Sequence, residues 1–150
     1  MSDRKPYFQS EDRVAALRVA AQRWMGTPWC YGSAACGRGV DCIRLCAEIY
    51  IETGALPKGA TIPIRGFSSR KVAAVHQRLA FLGSFARFEG ELLPGDLIMF
   101  SGERIHFAIA LSAEEAVHCL SNTGVTTIRT GDAAFANALN SIWTPIERAA

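Results

Sequence analysis

Five cysteines and three histidines are the side chains of this 150-residue chain best suited to nucleophilic chemistry. Cys42 is set apart by its place. It follows Asp41, a residue type that caps helix N-termini, and it opens an apolar run, Ile43, Leu45, Cys46, Ile49 and Tyr50, that reads as a largely buried helix. A thiol at the first position of a helix meets the positive end of the peptide dipoles, which favours the reactive thiolate. The competing reading is a packed core cysteine, the role expected of Cys30, Cys36, Cys46 and Cys119. An odd number of cysteines with no secretory leader is also a poor disulfide framework.

A thiolate nucleophile needs a base within hydrogen-bond reach, and the base needs a partner that orients it. His76 falls in a helical stretch, Val-His-Gln-Arg, and suits a solvated or capping role. His106 opens a strand, Ile105-His-Phe-Ala-Ile-Ala-Leu111, and His118 lies in the next one, Ala116-Val-His-Cys-Leu120. On an antiparallel pair the two rings face each other directly if the intervening turn centres on Ser112. An even-length loop would put them on opposite faces.

The elements that must hold these residues follow from pattern. Glu11 to Met25 carries Val14, Leu17, Val19, Ala21 and Trp24 at amphipathic helical spacing, and Gly26-Thr27-Pro28 ends it. A Gly-rich loop leads to Asp41, and a second helix runs from Cys42 to about Thr53, closed by Gly54. Residues Ala55 to Gly66 read as loop. Ser69 opens a third helix with Val72, Val75, Leu79 and Leu82 inward. After Pro94-Gly95 the pattern turns to strands at Asp96–Ser101, Ile105–Leu111, Ala116–Leu120, Val125–Thr130 and Ser141–Ile146, with a short helix near Asp132–Leu139. Helices followed by an antiparallel meander define an α+β domain.

Composition sets the bounds. Hydrophobic residues make up 49% and charged residues 20%, with a net charge of +2. That is a globular chain, expected to form one domain over 1–150, with no basic stripe for nucleic acid and no apolar run long enough for a membrane span. The first ten residues lack the apolar stretch of a secretory signal, so cytoplasmic synthesis is expected.

Taken together, the motifs resemble the NlpC/p-sixty superfamily of papain-like peptidoglycan cysteine peptidases. Gly26-Thr27-Pro28-Trp29-Cys30-Tyr31-Gly32 is similar to that family's opening, and Gly39-Val40-Asp41-Cys42 to its nucleophile motif. Leu93-Pro94-Gly95-Asp96-Leu97-Ile98-Met99-Phe100 looks like the strand before the family's histidine. Ile105-His106-Phe107-Ala108-Ile109 looks like the histidine strand, and Val117-His118 matches the third polar residue, with Gly124-Val125 after it. The motifs occur in the family's order.

The resemblance implies a papain-like fold in which N-terminal helices, one buried and starting at the nucleophile, pack on an antiparallel sheet of about five strands. It implies Cys42 as nucleophile, His106 as base and acid, and His118 as the residue that orients it. Tyr31 would stand by the nucleophile to help bind the oxyanion or substrate, and Asp41 could meet a substrate amino group beside its capping role. Asp96 would be structural, and Trp24 and Trp29 packing residues. The implied substrate is the peptidoglycan stem peptide, usually cut between D-glutamate and a diamino acid, with no metal or cofactor. Where the family has Ser-Gly-Leu after its cysteine, this chain has Ile43-Arg44-Leu45, and Ala108 replaces a glycine. The short length and the closing Ile142-Trp143-x-Pro145 are similar to tail-associated wall peptidases of phages and prophages. Their partners would be phage tail proteins and their place of action the cell wall, reached from the virion tail. Three other readings stand beside this one: a related acyltransferase or amidase, a catalytically inactive tail-assembly module, and a structural zinc site of Cys42, Cys46, His106 and His118.

Overall fold

A computed structural model describes residues 5–60, 72–81, 83–102 and 104–147. Helix α1, Glu11–Trp24, starts where Ser10, in an extended conformation, accepts the Arg13 N–H on its side-chain oxygen at 3.2 Å. Glu11 and Asp12 add negative charge at its positive end. It buries Leu17, Ala20, Ala21 and Trp24, one stripe at helical spacing. Val19 is not part of that stripe: it is 66% exposed, so the apolar pattern overstated the buried face by one residue.

The Gly-rich loop that follows contains a minimal hairpin of β1, Ala34–Ala35, and β2, Gly39–Val40. Val40 is tied on its other side to the loop, its N–H donating to Pro28 O at 3.0 Å and its carbonyl accepting from Cys30 N–H at 3.0 Å. This delivers the chain to α2, Cys42–Thr53, at a fixed position. Asp41 caps that helix through Oδ1, 2.9 Å from the Arg44 N–H, and Gly54 ends it with φ of 85°. Both ends agree with the sequence reading. The left-handed φ at Gly54 is the conformation that glycine adopts without steric cost.

Helix α3 spans Val72–Phe81, with Val75 buried; Ser69, the predicted start, and the side chains of Leu79 and Leu82 lie outside the described residues. The strands are β3 Phe85–Phe88, β4 Leu97–Ser101, β5 Ile105–Ala110, β6 Glu115–Leu120, β7 Gly124–Arg129 and β8 Leu139–Pro145. A short helix, α4 Ala133–Ala138, precedes β8. They form one six-stranded antiparallel sheet in the order β3-β8-β4-β5-β6-β7. The strand beyond the five expected is β3, a four-residue edge strand that pairs with β8 from Phe85↔Pro145 to Phe88↔Ile142. Its partner lies more than fifty residues away in the chain, so its short local pattern carried no signal for it.

Each face of the sheet has its own apolar cover. Ile105, Phe107 and Ile109 of β5 join the main core with α1 and α2. The alternate residues Ala108 and Ala110, with Ala116 and Ile98, form a smaller cluster closed by Phe135 of α4. Polar pins cross the core: Tyr50 OH donates to Gly95 O at 2.8 Å, and buried Asp96 accepts from Leu93 N–H and from the Thr144 hydroxyl, each at 2.9 Å. Asp96 therefore has the structural position the sequence suggested. Among the described residues no helix is long and apolar enough to cross a membrane.

Candidate active site

The strand pair β5–β6 decides how the two histidines meet. Its ladder runs from Ala108↔His118 through Ile109↔Val117 to Ala110↔Ala116, so the turn centres on Ala113 rather than Ser112. Ser112 to Glu114 form an odd-length loop, with Leu111 N–H and Ser112 N–H both donating to Glu115 O. The two histidines thus share a face, but His118 stands opposite Ala108, one pair off from His106. The diagonal is still bridged. His106 Nε2 lies 2.9 Å from His118 Nδ1, and the rings meet edge to face with centroids 5.1 Å apart. Diagonal cross-strand neighbours lie within reach of aromatic side chains. Phe100, itself backed by Phe135, packs on the other side of His106 at 5.7 Å.

The β5–β6 ladder stops at Ala108↔His118, and beyond it the strands open. At this end of the sheet Trp29, Cys42, Arg104, Ile105, His106, Cys119, Leu120 and Ser121 line a cavity of about 160 Å³. Cys42 comes to it from the main-core face and His106 from the other. The opened ladder lets groups from the two faces share one space. A cavity this size is smaller than a typical ligand pocket and suits the atoms around one reacting bond rather than a whole peptide.

The electrostatics of the cavity differ from the sequence expectation. Burial pushes the Cys42 thiol up to about 12, although the backbone N–H groups of Phe107 and Ile43 favour its ionised form. The helix N-terminus was expected to lower this value, but removing the sulfur from water outweighs it here. Burial, aided by His118, holds His106 down to about 4, and burial lowers His118 as well. At neutral pH the site therefore rests as an uncharged thiol and two uncharged imidazoles. One ring of the pair must donate and the other accept. If Nε2 of His106 carries the hydrogen and donates to His118 Nδ1, then Nδ1 of His106 is the nitrogen able to take a proton.

The remaining predicted site residues are placed differently. Asp41 is fully buried and engaged: its carboxylate accepts from Gly32 N–H at 2.8 Å, Arg44 N–H at 2.9 Å and the Arg44 guanidinium at 2.6 Å. It holds the loop and helix together and presents no free oxygen to a substrate amine unless Arg44 moves. Tyr31 is 53% exposed, with the Arg44 guanidinium 5.9 Å from its ring centre, and is not among the cavity-lining residues. Arg44, where the family has a small residue, lies partly in solvent and pairs with Asp41. Trp24 is a core residue, but Trp29 is 36% exposed and lines the cavity, so its packing assignment is corrected. His76 belongs to a separate network with Asn140 at 2.8 Å, Ser141 at 3.2 Å and Arg87 at 3.4 Å.

Sequence reasoning passed over Arg104, and it read Cys119 as a core cysteine, which it is at 2% exposure while also lining the cavity. Arg104 shares the parity of His106 two positions on, a period-2 signal that was available. Cys119 Sγ donates to the carbonyl of Val40, the residue that leads into Asp41, at 3.3 Å. Among the described residues no group of three His, Cys, Asp or Glu side chains is arranged to hold a metal ion.

No family model matches the sequence, and no curated protein matches it significantly. Solved structures do match. One is described as similar to lipoprotein, of the NLP/P60 family, from Staphylococcus aureus; the alignment covers 99% of this chain and 46% of that one, at 19% identity and a TM-score of 0.65. A second is an NlpC/P60 family protein from Bacillus cereus, covering 86% of this chain and 39% of that one, at 20% identity and a TM-score of 0.61. A third is the NlpC/p60 domain of the peptidoglycan hydrolase SagA, covering 86% of this chain and 96% of that domain, at 18% identity and a TM-score of 0.59. The chain spans less than half the length of the first two structures and nearly all of the third. At these identities the likeness is one of fold: this chain has the α+β fold of NlpC/P60 domains, with Cys42 at the start of its buried helix.

Proposed function

We propose that this chain is a single papain-like cysteine peptidase domain that hydrolyses amide bonds of the peptidoglycan stem peptide. One observation carries the reading: Cys42 and His106 line the same cavity, and His106 Nε2 is held 2.9 Å from His118 Nδ1. That is a nucleophile, a base and an orienting residue, contributed by α2, β5 and β6.

The mechanism starts from the neutral pair. As the Cys42 sulfur bonds to the scissile carbonyl carbon, its proton passes to Nδ1 of His106. The imidazolium so formed strengthens its hydrogen bond to His118, which keeps the ring in place. The N–H groups of Cys42 and Ile43, in the first turn of α2, are the candidates to bind the oxyanion. His106 then protonates the departing amine, and the C–N bond breaks to leave a thioester on Cys42. A water molecule, losing its proton to His106, attacks that thioester; the acid product leaves and the thiol is restored.

The finer assignments rest on the sequence resemblance. The bond would join D-glutamate to a diamino acid, and the enzyme would act at the wall as a component of a phage or prophage tail. Tyr31 would touch the substrate from the rim. Asp41 would act by fixing the Tyr31 loop and the start of α2, with a substrate amine reaching it only by displacing Arg44. Digestion of purified sacculi tests the reading. Wild type should release new amino groups, Cys42→Ala should release none, and the product masses identify the bond. Intact sacculi, with Cys42 still reactive toward small electrophiles, would favour the amidase or acyltransferase instead.

A further inference from the structure

Two thiols line the cavity, and the proposed mechanism uses only one of them. Cys42 stands at the first position of α2 and Cys119 near the end of β6, and both border the space of about 160 Å³. The Cys119 sulfur lies 3.3 Å from the carbonyl oxygen of Val40, two residues before Cys42. Like Val117, Cys119 belongs to the main core that α2 shares. It sits one residue past the last pair of the β5–β6 ladder, Ala108↔His118, and its sheet pairing is with Val125 of β7. The other thiols are placed apart. Cys46 is fully buried one turn along α2, Cys36 donates to Arg23 O at 3.3 Å, Cys30 is exposed, and none of the three lines the cavity.

Two free thiols at one small cavity are the arrangement in which an oxidised sulfur is captured by its neighbour before it oxidises further. The space admits a few molecules of the size of water, and so a small peroxide. We propose that Cys42 and Cys119 join in a reversible disulfide when hydrogen peroxide enters the cavity, which closes off the nucleophile and spares it irreversible oxidation. The Cys42 sulfur attacks one peroxide oxygen as its proton passes to His106. The O–O bond breaks, that proton leaves with the departing oxygen as water, and a sulfenic acid, S–OH, remains. The Cys119 sulfur then attacks the Cys42 sulfur, the S–O bond breaks, and the hydroxide departs with the Cys119 proton as a second water. Two thiols have lost two electrons, and one peroxide has become two waters. A dithiol reverses the link by exchange. Cys42 without a partner would instead climb to the sulfinic acid, which a dithiol does not restore.

The link is read from peptide masses, so it stands or falls apart from any hydrolytic activity. The intact protein is treated with hydrogen peroxide and digested with trypsin without reduction. Cleavage at Arg38 and Arg44 puts Cys42 and Cys46 on separate peptides, Gly39–Arg44 and Leu45–Lys58, and Cys119 falls on a third, Ile105–Arg129. Gly39–Arg44 joined to Ile105–Arg129 should be the main oxidised form of Cys42, and dithiothreitol should return nearly all of it to free thiol. In Cys119→Ala, and equally in Cys119→Ser, Cys42 should gain two oxygens, and the share that dithiothreitol recovers should drop to a small remainder. Unfolding in urea before oxidation should replace the specific link by scattered pairs. Wild-type Cys42 found as sulfinic acid without the link, paired with another cysteine, or still free when exposed Cys30 is oxidised would each overturn the proposal. So would equal recovery in wild type and both Cys119 variants.

Discussion

At the Cys42 sulfur two influences compete, and their sizes determine how the site must work. The start of α2 and the N–H groups of Phe107 and Ile43 favour the anion, but burial wins and leaves a thiol near 12. With His106 near 4, an ion pair at rest is disfavoured, and proton transfer has to accompany attack. This gives a pH profile with a definite sign. His106 is neutral, and so able to accept a proton, above its own value. Hydrolysis should therefore rise as pH increases through about 4 and stay level toward neutrality. An acid limb at the ordinary histidine value in a stopped-time assay of sacculus digestion would mean that another group is the base. The two histidines should also separate by kinetics. His106→Ala should lower kcat by roughly 10³-fold, the range for loss of a general base. His118→Ala should lower kcat by a smaller factor with KM little changed, and His118→Asn, whose amide oxygen can accept the Nε2–H, should recover part of it. Equal losses from Ala and Asn would show that His118 serves only to fill space.

At the scale of elements, the site depends on how the loop before α2 is held. Asp41 ties Gly32, the first turn of α2 and the Arg44 side chain with one carboxylate. Asp41→Ala removes the cap and leaves the Gly32 and Arg44 N–H groups without their acceptor, a cost of about 1–3 kcal/mol in urea unfolding. Asp41→Asn should recover a good part of it. The same loop is fastened at its other end to β7, where Gly26 N–H donates to Val125 O at 3.0 Å and Val125 N–H to Thr27 O at 2.9 Å. Gly124, just before, has φ of 76°, and a Cβ there would lie 2.3 Å from the carbonyl oxygen of Thr27. Backbone cannot yield as a side-chain tip can. Gly124→Ala should therefore cost roughly 2 kcal/mol or more and shift the Trp29 segment. A change in Trp29 fluorescence together with a lowered Tm would register both. The ends of α2 were legible in the sequence because caps are local: Asp41 and Gly54 act within a turn of themselves, while α1 was bounded by its amphipathic spacing and by Gly26-Thr27-Pro28. The turn between β5 and β6 was not legible, since the sequence left an odd and an even loop open and the centre depends on where the Glu115 carbonyl collects its two N–H donors.

Across the whole molecule, buried ionisable groups make stability depend on pH in opposing ways. His106 has a folded value near 4 against an ordinary 6.5, so between these the unfolded chain binds more protons and stability falls as pH drops. The cost for His106 alone is up to roughly 3 kcal/mol at the bottom of that window, and His118 is lowered by burial with the same sign. Asp96, raised by burial to about 6 from 3.8, acts the other way, because the folded state gains protons first as pH falls through 6. His106 and Asp96 shift by similar amounts and largely offset each other, and His118 adds to the His106 side, so a small net loss of stability is expected from pH 7 toward pH 4. His106→Gln should flatten that loss in urea melts across the window. A variant as acid-sensitive as wild type would place the sensitivity elsewhere.

The one-dimensional pattern determined the α+β class and the helix that begins at Cys42, and it nominated Cys42, His106 and His118, because caps, periodicities and motif order are written in residues near one another. It could not determine what the fold does with them. The edge strand β3 pairs with the far end of the chain, and the diagonal meeting of the histidines follows from the register of the turn. The raised thiol follows from burial that only packing creates, and Arg104 and Trp29 join Cys42 only because the β5–β6 ladder opens at that end of the sheet. These properties depend on distances between residues remote in sequence, and tertiary structure alone sets such distances.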